Sequence, residues 1–558
     1  MKKIGFIIAA ALISETLFAQ EALKSTEEEY YDFLSLTGAV ERPTLGYRTL
    51  SDSEWKFIEG GNGEIAQHPW QNNNLGTKRT LWQGEEGTNW FTRGFDHSLK
   101  LKIYGPEWYN SFNTKAPYGQ NDGALWQGKG YNSSLTGGAR LEAFGFEVTL
   151  KPQVCFSQNL SFDYIVSDSM QSELYLDKAS KYGYFWNSVD APQRFGDKAF
   201  FTFDWADTEI RWSWKTFTVG FGTQNIWLGP AWRNPVLHSN NAPSYPKVDL
   251  GFRKTKVYLP FCNWYIGDLE GRIWTGYLSE SKYFDNDNSN DHNFFHGLTI
   301  AYSPSFLPGL TLSANRACLV KAKLKNLKYI IPKYANTTDE NNEGEDQKLS
   351  ICANWLFPKV GLEIFGELGV DDYTIPEYYF ERTLVYTVGL KKTVTLSKKY
   401  DIRGEIIFEW NNSEMSQDFQ FQWGYNFGFH HQNTQGYTNK GQWLGSGFGY
   451  GGNSQYLGFK VYYPRGDISI FGQHTNPDLN YIYSKAVNQV ADWWNKGSKE
   501  FKPKSIWDIG VSSTFFINPN LYMTGTFIYD HIYFPFYDKK EINNCYNFHI
   551  GLSLKYSF

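Results

Sequence analysis

Cysteine is scarce in this chain: Cys155, Cys262, Cys318, Cys352 and Cys545 are scattered over 558 positions. An odd number at irregular spacing spells neither a disulfide framework nor a zinc motif. None precedes Cys155, which excludes a lipid-modified N-terminus. Methionine is rarer still at four, too few for a soft peptide-binding groove. Beyond the first twenty or so residues, no apolar run reaches the roughly 20 residues that a helix needs to cross a bilayer. An excess of one charge is missing too: 53 basic against 58 acidic residues leave −5, and nothing there points to nucleic acid. No GxSxG elbow occurs, nor any compact cluster of His and Asp that would assemble a hydrolase.

Aromatics are abundant at 18% (21 Trp, 38 Tyr, 43 Phe). The last thirteen residues, YNFHIGLSLKYSF, alternate without an error. Tyr546, Phe548, Ile550, Leu552, Leu554, Tyr556 and Phe558 point one way, and Asn547, His549, Gly551, Ser553, Lys555 and Ser557 the other. Strand side chains flip with period two, so one face suits hydrocarbon and the other water, as in a transmembrane barrel. The terminal aromatic resembles the signal read by the bacterial outer-membrane insertion machinery, which is therefore an expected partner together with outer-membrane lipid. A mean hydropathy of −0.49 is no objection. Only every second residue of a barrel strand has to be apolar, and polar loops lower the average.

The organisation follows from that strand. Lys2 and Lys3 ahead of an apolar run from Ile4 to Ile13, then Leu17-Phe18-Ala19, read as a signal peptide over 1–19. Residues 20–96 read as a periplasmic lead-in. Ser25 or Thr26 with Glu28 or Glu29 forms a capping box, and Tyr30, Phe33 and Leu34 recur at helical spacing. The remainder of the lead-in shows no useful strand run and reads equally as a plug or as loosely ordered chain. Residues 97–558 read as an all-β, antiparallel barrel of about 18 strands. Fifteen strands follow residue 205 or so, and about three more lie between 97 and 165. Short turns at Asn518-Pro519-Asn520, Pro464-Arg465-Gly466-Asp467, Phe357-Pro358-Lys359 and Ser303 to Gly309 fall on the periplasmic side if the final strand ends there. The long connections, about 222–251, 280–296, 317–348, 411–455 and 475–504, then fall outside.

Three stretches are too specific for ordinary barrel loops: YGQNDGALWQGKG (118–130), QNIWLGPAWRNPVLHSNNAP (224–243) and GYTNKGQWLGSGFGYGGNSQYLG (436–458). With the lead-in LGYRTLSDSEW and the flanking alternation, they resemble the capsule assembly Wzi family of outer-membrane β-barrel proteins. The resemblance covers most of the mature chain. It implies a monomeric eighteen-stranded barrel with a helical periplasmic element. It further implies a lectin-like protein, neither enzyme nor open pore, that attaches or assembles capsular or related surface polysaccharide. It carries over no ligand residue set and no cofactor.

Sugar chemistry gives the residues a second reading. A sugar stacks its C–H face on an aromatic ring while amides, carboxylates and cations take its hydroxyls. Trp227 and Trp232 flank a Gly229-Pro230 turn, with Arg233, His238, Asn240 and Asn241 behind them. The same residues also read as girdle tryptophans and turn-closing asparagines. The glycines of the third stretch allow close backbone approach, so that loop is expected to fold inward. Tyr437 and Trp443, with Trp423, His430 and Asn433, would then line a pocket, or merely constrict the barrel. Lys321, Lys323, Lys325 and Lys328 would share one face if their strand continued outward, drawing an anionic glycan. They read equally as a solvated extension balanced by the acidic run Asp339 to Asp346. Asp285, Asp287, Ser289 and Asp291 have alternating calcium-loop spacing, but Asn290 and His296 stand where glycine and glutamate belong. A hydrated loop is the better reading there, and no metal is expected. Glu363 and Glu367, about 13 Å apart along a strand, are too far apart for a glycosidase pair and suit a structural layer of lumen ion pairs. Alternatives to the lectin are a porin-type channel for small solutes and, third, an outer-membrane hydrolase.

Overall fold

Alternation with period two runs through most of the chain after residue 98, and it closes a sheet on itself. The computed structural model describes residues 25–60, 64–165, 181–185, 188–285, 287–332, 344–371, 382–416, 426–482, 502–538 and 544–558. Among these, 18 antiparallel spans form one barrel. The last strand, Asn544–Tyr556, closes it against the first, Leu99–Asn113, with Ile550 opposite Phe112 and Leu554 opposite Trp108. Two neighbouring spans are broken. One divides into Phe146–Leu150 and Gln153–Ser157, where Pro152 has no N–H for the ladder. Its neighbour divides into Phe200–Asp204 and Glu209–Trp214, and the Thr208 hydroxyl meets the Lys151 N–H across the gap.

The two faces separate as the alternation requires. In the final strand Leu552 is 45% exposed and Lys555 4%. Apolar side chains point out, and the interior is polar, an inversion that suits a hydrocarbon solvent. Many lumen charges are paired: Lys348 lies 2.6 Å from Asp346 and 2.9 Å from Asp371, and Arg211 bonds Glu209 and Asp249. All four short turns gather at one end of the barrel. The long connections are shorter than expected by a few residues at their ends. His292–Pro304, Leu310–Lys321, Asp346–Phe357 and Asn453–Tyr463 continue as strand into stretches read as loop.

The lead-in is a plug. The helix Thr26–Leu36 is capped by the Ser25 hydroxyl, which accepts from the Glu28 N–H at 3.1 Å. It lies inside the short-turn end and is buried on nearly every side. Phe33 stacks on Tyr462 of the wall with ring centroids 4.3 Å apart, and Tyr30 stacks on Trp70 at 4.1 Å. Its acids meet lumen lysines: Glu27 with Lys555 (2.9 Å), Glu29 with Lys460 (3.1 Å) and Asp32 with Lys391 (2.6 Å). Arg42 then joins Asp32 to Glu363, giving Glu363 the structural role expected of it. The lead-in also holds strands that pattern reading missed. Lys78–Trp82 adds to the lower half of the first barrel strand, and Val40–Glu41 pairs with Lys56–Phe57.

Candidate functional site

The lumen is filled from both ends, and the two fillings touch. From the long-loop end the 223–246 connection descends until Trp227–Leu228 pairs with Tyr47–Arg48 of the lead-in. Wall carboxylates anchor the backbone there. Glu409 accepts from the N–H groups of Trp232 (2.6 Å), Arg233 (2.9 Å) and Asn234 (2.8 Å), Glu367 from Val236 (3.0 Å), and Glu270 from Tyr47 (3.2 Å). Glu367 thus meets a backbone N–H, where the sequence suggested a lysine or arginine.

The three conspicuous stretches prove to be one assembly. Asn241 accepts from the Asn121 N–H and donates to the Trp443 carbonyl, both at 3.0 Å. The Asn240 carbonyl accepts from Gly123 N–H, and Gln442 donates to the Gly123 carbonyl. The Ser239 N–H reaches the Leu444 carbonyl, and the Tyr450 hydroxyl the Val236 carbonyl. The third stretch folds inward as expected, and its glycines are needed for it. A side chain at Gly445 would sit 2.4 Å from the Val236 carbonyl oxygen, and Gly449 holds φ at +93° against Trp443. His238 is locked between the Ile226 carbonyl (2.8 Å) and the Tyr245 hydroxyl (2.7 Å), and burial lowers its pKa to about 4. Burial raises Asp122 to about 6 in the same assembly.

Most of the residues singled out from sequence therefore build the lid. Trp227 is fully buried, its indole N–H bonded to the Ala231 carbonyl and its ring under Arg48, so it belongs to neither an outer girdle nor an open sugar platform. Tyr437 is likewise fully buried, against Phe295 and Tyr450. Trp232 lies deep, its ring 4.9 Å from the Lys391 ammonium. Arg233 bonds Gln120 and covers Tyr456 at 5.2 Å. Asn433 donates to Asn293, and the His430 ring accepts from the Asn433 N–H. Trp423 lies outside the described residues. The lysine stripe is a correction: the strand ends at Lys321, Lys323 caps a 3-10 helix over Leu324–Ile330, and the helical turn breaks the shared face. Of the calcium-spaced residues, Asp285 and Asp291 approach Glu280 to form an acidic cluster, while Asp287 is not part of it.

Among the described residues, Trp443 alone of the chosen ones borders the large cavity, about 850 Å³ at the long-loop end. Tyr118, Tyr184 and Tyr537 share its wall, and Lys115, Lys129 and Lys504 stand where loops join strands at its rim. Asp478 clamps the wall by accepting from the Tyr184 and Tyr537 hydroxyls, while Phe185 stacks on Tyr537 at 5.4 Å. Burial pushes the Asp478 carboxyl above its ordinary value. Sequence reading missed Tyr184 and Tyr537 because both stand in connections outside the three conspicuous stretches. Their one signal is local aromatic density, as in Phe534-Pro535-Phe536-Tyr537.

A barrel with this inward-folded lid can be compared with known proteins. The family described as capsule assembly protein Wzi matches residues 121–545, well over half of the chain. This chain belongs to the Wzi family. Among solved structures, Escherichia coli Wzi, an outer membrane protein involved in group 1 capsule assembly and a carbohydrate-binding β-barrel, superposes with a TM-score of 0.55. Identity is 11%, over 82% of this chain and 85% of that one. OccAB2 of Acinetobacter baumannii is similar at a TM-score of 0.39 and 10% identity, over 81% of this chain and 98% of that one, too loose a likeness to bear on function. No curated protein sequence matches. The Wzi family is one of outer-membrane barrels with a role in capsule assembly, and the outward apolar face found here suits that solvent. All three sequence stretches that carried the resemblance meet in the lid.

Proposed function

We propose that this Wzi-family chain is a polysaccharide-binding, lectin-like protein that holds capsular or related surface glycan at the cell surface, without turnover. The observation that carries this reading is the aromatic-walled, lysine-rimmed cavity of about 850 Å³ above a filled lumen. The half-buried rings of Trp443 and Tyr118 offer stacking faces for sugar C–H groups, with Tyr184 and Tyr537 buried in the wall, and the rim ammonium groups attract acidic repeat units. The carbohydrate-binding character of E. coli Wzi supports the same reading. In this proposal the long loops face the exterior and both barrel ends of the chain lie in the periplasm. The protein works as a monomer, and its C-terminal strand is the segment read by the insertion machinery.

The test is binding of surface polysaccharide, purified from the source strain, to detergent-solubilised protein. Tyr118→Ala and Trp443→Ala, each first shown to be a heat-modifiable barrel, should weaken binding about fivefold or more, since losing an aromatic ring that stacks on a nucleobase costs about 1–3 kcal/mol and a sugar face stacks in the same way. Trp227→Ala belongs in the same series as the variant of a buried lid residue. Undiminished binding in both cavity variants would refute this placement.

A further inference from the structure

Beneath the cavity's aromatic wall, four adjacent strands place polar side chains at one level facing the lumen. Gln473 stands directly opposite Asp508, Asp508 opposite Asp530, and Asp530 opposite Asn547. The first three line the cavity. All are more than nine-tenths buried, with Gln473 and Asp508 at 5% exposure and Asp530 at 2%. Yet Gln473 Oε1, Asp508 Oδ1 and Asp530 Oδ1 find no hydrogen-bond partner among the described residues. The remaining contacts of the row are spoken for. Gln473 Nε2 donates to Ser454 and Thr475, and Asn547 Nδ2 donates to Asp530 Oδ2 at 3.3 Å while its own Oδ1 accepts from the Lys115 N–H at 2.8 Å.

Three unpaired acceptors side by side, two of them carboxylate oxygens, are costly inside a protein unless something donates to them. We propose that this row is the polar floor of the glycan site and takes the adjacent hydroxyls of an uncharged glycosyl unit. The inference rests on the lectin reading above and gives it a chemical specificity. Strands lie about 4.8 Å apart, so three residues across them extend over about 10 Å, a length comparable with a disaccharide. Each sugar hydroxyl has a proton to give and can equally accept one, so adjacent hydroxyls suit both the facing carboxyl pair and the amide oxygen of the row. A uronate in the same position would bring a third carboxyl group against the first two and is disfavoured. A bound divalent cation suits the row less well, because such ions call for about six to eight oxygens converging at about 2.3–2.6 Å. A straight row across separate strands spreads its oxygens instead. The cavity thus divides its labour, with lysines at the rim for acidic units and acceptors at the floor for a neutral one.

The experiment measures binding of the purified surface polysaccharide to the full-length barrel, the double variant Asp508→Asn/Asp530→Asn, and Gln473→Met, with and without EDTA. The amides keep the shape of the carboxylates but put an NH2 donor in place of an acceptor on each. The double variant should bind at least tenfold more weakly, Gln473→Met severalfold more weakly, and EDTA should change nothing. Wild-type binding that survives undiminished in both variants overturns the floor while leaving the lectin reading in place. Wild-type binding abolished by EDTA overturns it in favour of a metal-bridged site. No wild-type binding overturns both readings. Gln473→Met keeps the test open if the double variant fails to give a heat-modifiable barrel.

Discussion

At the scale of single residues, wall carboxylates do for this lid what caps do for a helix. Glu409 satisfies three consecutive backbone N–H groups, of Trp232, Arg233 and Asn234. Glu409→Ala leaves them buried without an acceptor, and about 3 kcal/mol of stability should be lost, seen as a lower urea midpoint. Glu409→Gln, which keeps one acceptor oxygen, should lose less. His238 carries a pH dependence. Its pKa is about 4 in the folded chain because burial disfavours the imidazolium, below the unfolded value of about 6.5. The unfolded chain therefore binds the extra proton first, and the stability His238 contributes is full above about pH 6.5 and is lost as pH falls towards 4. Wild type minus His238→Gln, compared by urea midpoints from pH 7 to 4, should show that slope. Equal slopes would refute the assignment. None of this was legible beforehand. Glu409 lies on the lumen side of the strand Ile402–Asn412, but nothing in the sequence shows that a loop 170 or so residues earlier lays its N–H groups upon it.

Among the elements, the helix Thr26–Leu36 was the most legible. Its capping box and the spacing of Tyr30, Phe33 and Leu34 are local signals, and Ser25 is the cap observed. Its burial was not legible. An ordinary surface helix keeps one polar face, whereas here the acidic residues Glu27, Glu29 and Asp32 point at lumen lysines, so polarity marks contact with a polar wall. Asp32→Ala removes the shared partner of Lys391 and Arg42, and breaking a buried ion pair on one side typically costs about 3–5 kcal/mol. The expected outcome is protease cleavage within the lead-in while the barrel remains heat-modifiable. A lead-in as resistant as the wild type would show that the stacking on Tyr462 and Trp70, with the Glu27–Lys555 and Glu29–Lys460 pairs, holds the helix without Asp32.

For the whole molecule, the decisive property is that lead-in and loops meet inside the barrel, at the pairing of Tyr47–Arg48 with Trp227–Leu228. Eighteen strands alone enclose room for a channel. With both fillings in place, planar-bilayer recordings of the purified protein should show no large steady conductance. Deleting 426–452 should raise conductance, because the Tyr450 hydroxyl holds the descending loop at the Val236 carbonyl and the Gly445 carbonyl holds it at the Ser239 hydroxyl. A large steady conductance in the wild type would contradict the filled lumen and favour the porin alternative.

The sequence by itself determined the strand number, the direction each side chain faces and the end at which the short turns gather. Each depends on a period of two and on local turn chemistry, which neighbouring residues settle among themselves. It also showed which three stretches were unlike ordinary loops. Only the tertiary structure decided what those stretches do. Tyr118, Tyr184, Trp443 and Tyr537 border one cavity although hundreds of residues separate them, and Trp227, the most conspicuous candidate, is sealed beneath Arg48. Exposure of a ring depends on which distant loop covers it, and no periodicity in the chain encodes that.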